Sequence, residues 1–116
     1  LAGHLLEMCR GSGLGAEVRF AQLPLIEEAV RLVREGVATG ASGRNWASYG
    51  EGVELVADAP EWQRKLLTDP QTSGGLLVAC APEVVDEVIA TVRAEQGCEA
   101  MVIGRMLGGA PRLRVI

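Results

Sequence analysis

The spacing of apolar and polar residues changes several times along the chain, and each change marks an element. Over residues 1–10, Leu5, Leu6, Met8 and Cys9 recur at roughly helical spacing, and Gly11-Ser12-Gly13 stops the run. From Gly15 to Phe20, Ala16, Val18 and Phe20 alternate with Glu17 and Arg19, which predicts a half-buried strand. Gln22-Leu23-Pro24 turns into a helix over Leu25 to Glu35. Its apolar face is Leu25, Ile26, Ala29, Val30, Leu32 and Val33. Glu27, Glu28, Arg31, Arg34 and Glu35 form a solvated face with weak ion pairing at Glu27–Arg31 and Glu28–Arg31, and Gly36 caps the helix.

Val37 to Gly52 has no clear period and reads as the longest irregular stretch; a loop that spends Trp46 and Tyr49 is either packed on the body or used for binding. Val53 to Val56 predicts a short strand or helical turn. Asp58, Pro60 and Glu61 then open a helix through Trp62, Leu66 and Leu67, with Asp58 as a candidate N-cap. Pro70 has no N–H and disfavours helix at Asp69, so the helix stops there. Gln71, Thr72 and Ser73 are polar turn residues, Gly74 and Gly75 follow, and Leu76 to Cys80 reads as a strand buried on both faces. Pro82-Glu83 opens a further helix with Val84, Val85, Val88, Ile89 and Val92 on one face and Gly97 at its end. Cys98 to Met106 predicts a strand, Gly108-Gly109 a turn, and Leu113 to Ile116 a closing edge strand. The pattern predicts one domain over residues 1–116. Its fold class is an α/β or α+β sandwich, with helices packed on a mixed sheet of about four strands.

Composition narrows the function classes. A net charge of −4 without a basic run argues against nucleic acid as a partner. There is no apolar run of membrane-spanning length and no signal peptide. Cys9, Cys80 and Cys98 are widely spaced among apolar neighbours, the usage of buried, reduced thiols in a cytoplasmic protein. With one histidine and no CxxC, a zinc site is not expected. The chain begins at Leu1 inside a helical pattern, which reads as a fragment with functional sequence upstream.

The turn from Asp69 to Gly75 carries two readings. One is a donor-rich loop at a sheet edge that holds an anion with backbone N–H groups. The other is an ordinary turn whose glycines let helix and strand approach closely. It lacks the lysine of a Walker motif. His4 likewise reads as an exposed helical histidine or as a neighbour of an upstream phosphate site.

The wording of four stretches bears on the choice. Asp69-Pro70-Gln71-Thr72-Ser73-Gly74-Gly75-Leu76-Leu77 resembles a C-terminal-domain signature of the selenophosphate synthetase family, the selenide, water dikinases. Leu1 to Met8 resembles that family's GHLLEM helix, and Arg44-Asn45-Trp46-Ala47-Ser48-Tyr49-Gly50 resembles its RN(F/W)ASYG loop. Ile103-Gly104-Arg105 resembles, less specifically, its IGR turn.

The resemblance implies the C-terminal domain of a two-domain ATP-using enzyme, with a fold like that of aminoimidazole ribonucleotide synthetase relatives. The implied reaction converts ATP, selenide and water into selenophosphate, AMP and phosphate, with Mg. The family's nucleophilic Cys or selenocysteine, its lysine and its metal-binding aspartates would lie in a missing N-terminal ATP-binding domain, and the full-length protein would be a homodimer. No catalytic or metal residue is expected in this chain, and no bound cofactor.

The candidates for lining the substrate or phosphate cleft are Asp69, Gln71, Thr72, Ser73, Gly74, Gly75, Arg44 and Asn45, with Tyr49 beside them. A local dipole contact of this kind is worth about 0.3–2 kcal/mol. Even millimolar affinity needs about 4 kcal/mol, so the chain alone is expected to be inactive and to show no detectable ATP binding. The alternative is a free-standing, non-catalytic binding or interaction module that uses the same fold. A dimerisation scaffold is less favoured, because the polar turn and tryptophan loop are poor material for an apolar self-interface.

Overall fold

Four strands from distant parts of the chain share one sheet. The computed structural model describes residues 1–72, 74–97 and 100–116. The strands are β1 (Gly15–Val18), β2 (Val53–Leu55), β3 (Gly104–Leu107) and β4 (Leu113–Val115), in the order β2-β4-β1-β3. β1 pairs antiparallel with β3 and parallel with β4, and β2 pairs parallel with β4, so the sheet is mixed. Five helices accompany it: α1 (Ala2–Ser12), α2 (Glu27–Arg34), α3 (Gly40–Tyr49), α4 (Glu61–Thr68) and α5 (Val85–Gln96). The fold class expected from the pattern holds: helices packed on a four-stranded mixed sheet.

The core lies between α1 and one face of the sheet. Ala2, Leu5, Leu6 and Cys9 of α1 meet Ala16, Val18, Val53, Leu113 and Val115, and Leu67 of α4 closes one end. Gly13, in the left-handed region at φ 69, ends α1 and sends the chain into β1. The opposite face carries charge. Glu54, Arg114, Glu17 and Arg105 are register partners in that order across all four strands. Glu17 Oε1 lies 3.0 Å from Arg105 Nη2, Glu17 Oε2 3.9 Å from Arg114 Nη1, and Glu54 Oε1 4.0 Å from Arg114 Nε. Glu17 is only 7% exposed, so a buried carboxylate is held between two guanidinium groups. β1 is therefore buried at all four positions rather than half-buried, and Phe20 begins a 3-10 turn instead of continuing the strand.

Several expectations are corrected. α2 starts at Glu27 and not Leu25, Ile26 is 74% exposed, and Val33 is the buried residue of that helix. Arg31 pairs with Glu28 and Glu35, each at 2.6 Å. The supposedly irregular stretch after Val37 holds a full helix, α3. Its Gly40 and Gly43 disfavour helix by roughly 1 kcal/mol each against Ala, so packing on α4 overrides local propensity. α4 begins after Pro60 with no side-chain cap, so Asp58 is not its N-cap. It stops at Asp69, which turns to φ −62, ψ 133 ahead of Pro70 as the proline requires.

Leu76 to Cys80 is not a strand. Leu76 and Val78 are exposed, and only Leu77 packs on the core. An apolar run does not encode a pairing partner: β2 and β3 are the outer strands of this sheet, and the run pairs with neither. The strand expected over 98–106 is limited to Gly104–Leu107; Cys98 and Glu99 lie outside the described residues, and Met101 and Val102 are exposed. β4 is an interior strand rather than an edge, with Leu113 fully buried. Cys9 is buried as expected, whereas Cys80 is exposed.

Burial sets an alkaline limit on stability. It raises the Cys9 thiol above its usual 9.0 and the Tyr49 phenol above its usual 10.0. The unfolded chain then releases these protons at lower pH than the folded one. The contribution is complete below the ordinary values and is lost as pH climbs from them toward the raised ones. Thermal melts should therefore fall progressively above about pH 9. Cys9→Ala with Tyr49→Phe should flatten that slope; an unchanged slope would place its origin elsewhere.

Candidate functional site

The turn leaves α4 where the starts of α1 and α3 meet the end of α4. The backbone nitrogen of Leu1, at the start of α1, lies 3.3 Å from the Leu67 carbonyl at the end of α4. Tyr49, at the other end of α3, packs its ring where a Gly3 side chain would stand. Thr39, at the start of α3, donates from its hydroxyl to Asp69 Oδ1 at 2.9 Å.

α3 and α4 are joined by polar contacts at every third residue of α3. After Thr39 comes Ser42, 2% exposed. Its hydroxyl lies 2.6 Å from that of Thr68, 1% exposed, and 2.9 Å from the Lys65 carbonyl. Thr68 also donates to the Arg64 carbonyl at 2.9 Å. The two hydroxyls carry two protons between them, so two of these three contacts are filled in any one arrangement. Then comes Asn45, whose Nδ2 donates to the Thr68 carbonyl at 2.8 Å and satisfies one of the orphan acceptors at the end of α4. Beside this seam a cleft of about 100 Å³ is lined by Thr39, Ser42, Trp46, Arg64, Lys65 and Thr68. Arg64 stacks over the Trp46 ring at 5.3 Å and pairs with Glu61 at 3.1 Å.

The eight sequence candidates are thus not one cluster. Asp69 and Asn45 come together at the end of α4, both committed to holding helices. Gln71 and Thr72 are exposed beyond Pro70. Gly74 lies against the Gln71 side chain, where a Cβ would meet Gln71 Oε1 at 3.1 Å, while a Cβ on Gly75 would meet open space. Ser73 lies outside the described residues. Arg44 is exposed and runs back along its own helix toward Gly40. His4 is exposed and pairs with Glu7 at 3.2 Å. Thr39, Ser42 and Thr68 were missed. Their signal is the three-residue spacing of short polar side chains at Thr39, Ser42 and Asn45, hidden by the glycines between them.

Among the described residues no three His, Cys, Asp or Glu side chains come together in a way that could hold a metal. Asp69 is engaged by Thr39, and Glu61 by Arg64 and Lys65 at 3.5 Å. These residues do not offer a magnesium donor set. No helix among them is long and apolar enough to cross a membrane.

Mixed sheet, one covering helix layer and a polar turn at the helix junction agree with a match to a family model over residues 1–116. The chain belongs to the AIR synthase related protein, C-terminal domain family. Its curated relatives are selenide, water dikinases. That of Paraburkholderia xenovorans (strain LB400) is 55% identical over 116 residues, covering 100% of this chain and 33% of the relative. That of Dechloromonas aromatica (strain RCB) is 52% identical over 116 residues, with 100% and 33% covered. That of Rhizobium meliloti (strain 1021) is 50% identical over 114 residues, with 98% and 33% covered. The chain therefore spans about a third of the length of the curated relatives it matches.

Proposed function

We propose that this chain is the C-terminal part of a cytoplasmic, homodimeric selenide, water dikinase, which makes selenophosphate, AMP and phosphate from ATP, selenide and water. The observation that carries the reading is identity of 55% along the full chain to a relative of that name. In this reading the ATP triphosphate and magnesium are held by the preceding part of the protein. This domain contributes the turn beyond Pro70. Backbone N–H groups of Thr72, Gly74 and Gly75, with Ser73 between them, face a phosphate-type anion. Gln71 and the exposed Arg44 supply the polar rim. The glycines let the backbone come close to the ligand, as phosphate-binding turns require.

A selenide-dependent AMP-release assay on the full-length protein tests this. Gly75→Val adds a side chain into open space, so it should leave the fold intact while blocking close approach. It should lower kcat/KM at least roughly tenfold, about 1.4 kcal/mol of transition-state stabilisation. Thr72→Ala should lower it less. Unchanged rates in folded variants would make the turn structural, and a wild-type protein that releases no AMP from ATP and selenide would overturn the reaction itself.

A further inference from the structure

We infer that Asp69 is a positioning residue: it acts through Thr39, and together with the Ser42–Thr68–Asn45 seam it fixes where the chain leaves the body at Pro70. The proposal rests on the reading of the turn beyond Pro70 as a ligand-facing element. Three observations carry it.

Asp69 is the last point at which the chain is tied down before the turn. Its backbone has already left the helix, and its Oδ1 accepts from the Thr39 hydroxyl at 2.9 Å. Thr39 is the N-cap of α3, yet its side chain caps nothing on its own helix. Its O–H is instead donated across the gap to Asp69, and its oxygen accepts from no α3 backbone N–H. Finally, α3 is itself anchored one and two turns further on. The buried Ser42–Thr68 pair and the Asn45 contact to the Thr68 carbonyl bind it to the residue that immediately precedes Asp69. Thr39, Ser42 and Asn45 form a single line along α3, and Lys65, Thr68 and Asp69 answer it along α4. Moving the Asp69 end of that line moves the root of the turn, and small displacements of a positioning element are felt strongly in rate.

What Asp69 supplies in this role is an acceptor oxygen, not a negative charge aimed at a ligand or metal. That separates it experimentally from a direct contact. In the full-length protein, selenide-dependent AMP release is measured for Asp69→Ala, Asp69→Asn, Thr39→Ala, Thr39→Ser and the Asp69→Ala/Thr39→Ala double variant. Asp69→Ala and Thr39→Ala should each lower kcat by roughly tenfold with a smaller change in KM for ATP. The double variant should be no worse than either, because both remove the same tether. Asp69→Asn and Thr39→Ser, which keep the acceptor and the donor, should restore the rate to within about threefold. If Asp69→Asn is as damaged as Asp69→Ala while Thr39→Ala behaves as wild type, the carboxylate acts directly and the inference falls. It falls equally if neither alanine variant changes the rate. Urea unfolding of the same set reads the Asp69–Thr39 coupling without any activity. Non-additive midpoints in a protein that makes no selenophosphate would reject the reaction and retain the tether, and additive midpoints would reject the tether.

Discussion

Replacing Gly104 by Ala should unfold the sheet at its β1–β3 pair. Gly104 lies opposite Val18 in the antiparallel register. A Cβ there would fall on the Glu17 carbonyl oxygen and within 2.9 Å of Val18 Cα. Both are backbone atoms of the neighbouring strand, so no side-chain rotation relieves the clash. The strands must separate, and with them the bond from Arg19 N to the Ile103 carbonyl at 2.9 Å and the Arg105–Glu17 pair. We expect a loss of about 3 kcal/mol or more, at the upper end for overpacking because the obstruction is rigid. Guanidinium unfolding should show the midpoint move down with little change in slope. A loss below about 1 kcal/mol would mean that β3 can shift outward without cost.

Leu6→Ala should cost about 3–5 kcal/mol, the range for a large aliphatic truncated in a core that cannot collapse. Leu6 is fully buried at the middle of the cluster that joins α1 to the sheet. A Cβ on Gly52, ahead of β2, would stand 3.1 Å from Leu6 Cδ2, so the side chain also fills the space below that turn. Its neighbours are held by strand pairing and cannot move in to close the void. Leu5→Ala gives a useful contrast, since Leu5 is 4% exposed and nearer the margin. Its loss should be smaller, and equal losses would argue that the cluster yields evenly.

α1, α2, α4 and α5 were legible as sequence from their periodicity and stops, as were β1 and the glycines that end α1 and α5, Gly13 and Gly97. α3 was not. Its apolar content is low, and what makes it helical is a set of polar contacts to residues more than twenty positions away. No local window contains that information. The Leu76–Cys80 run failed in the opposite direction: its apolar character was plain, but whether a strand has a partner is decided elsewhere in the chain. The turn proposed as the site was singled out by its wording. The division between residues that hold it and residues that face outward needed the hydrogen bonds. Asp69 and Asn45, which looked like ligands, are spent on Thr39 and Thr68.

The charged row across the outer face of the sheet bears on how this sequence can drift. Glu54, Arg114, Glu17 and Arg105 come from four separate stretches, yet each inner member touches two partners of opposite sign. Reversing Glu17 alone would set three positive groups side by side, and reversing Arg114 alone would do the same with three negative ones. Such changes become tolerable only in company. These positions should therefore be inherited as a correlated set, with the alternation of sign kept even where the individual residues are exchanged.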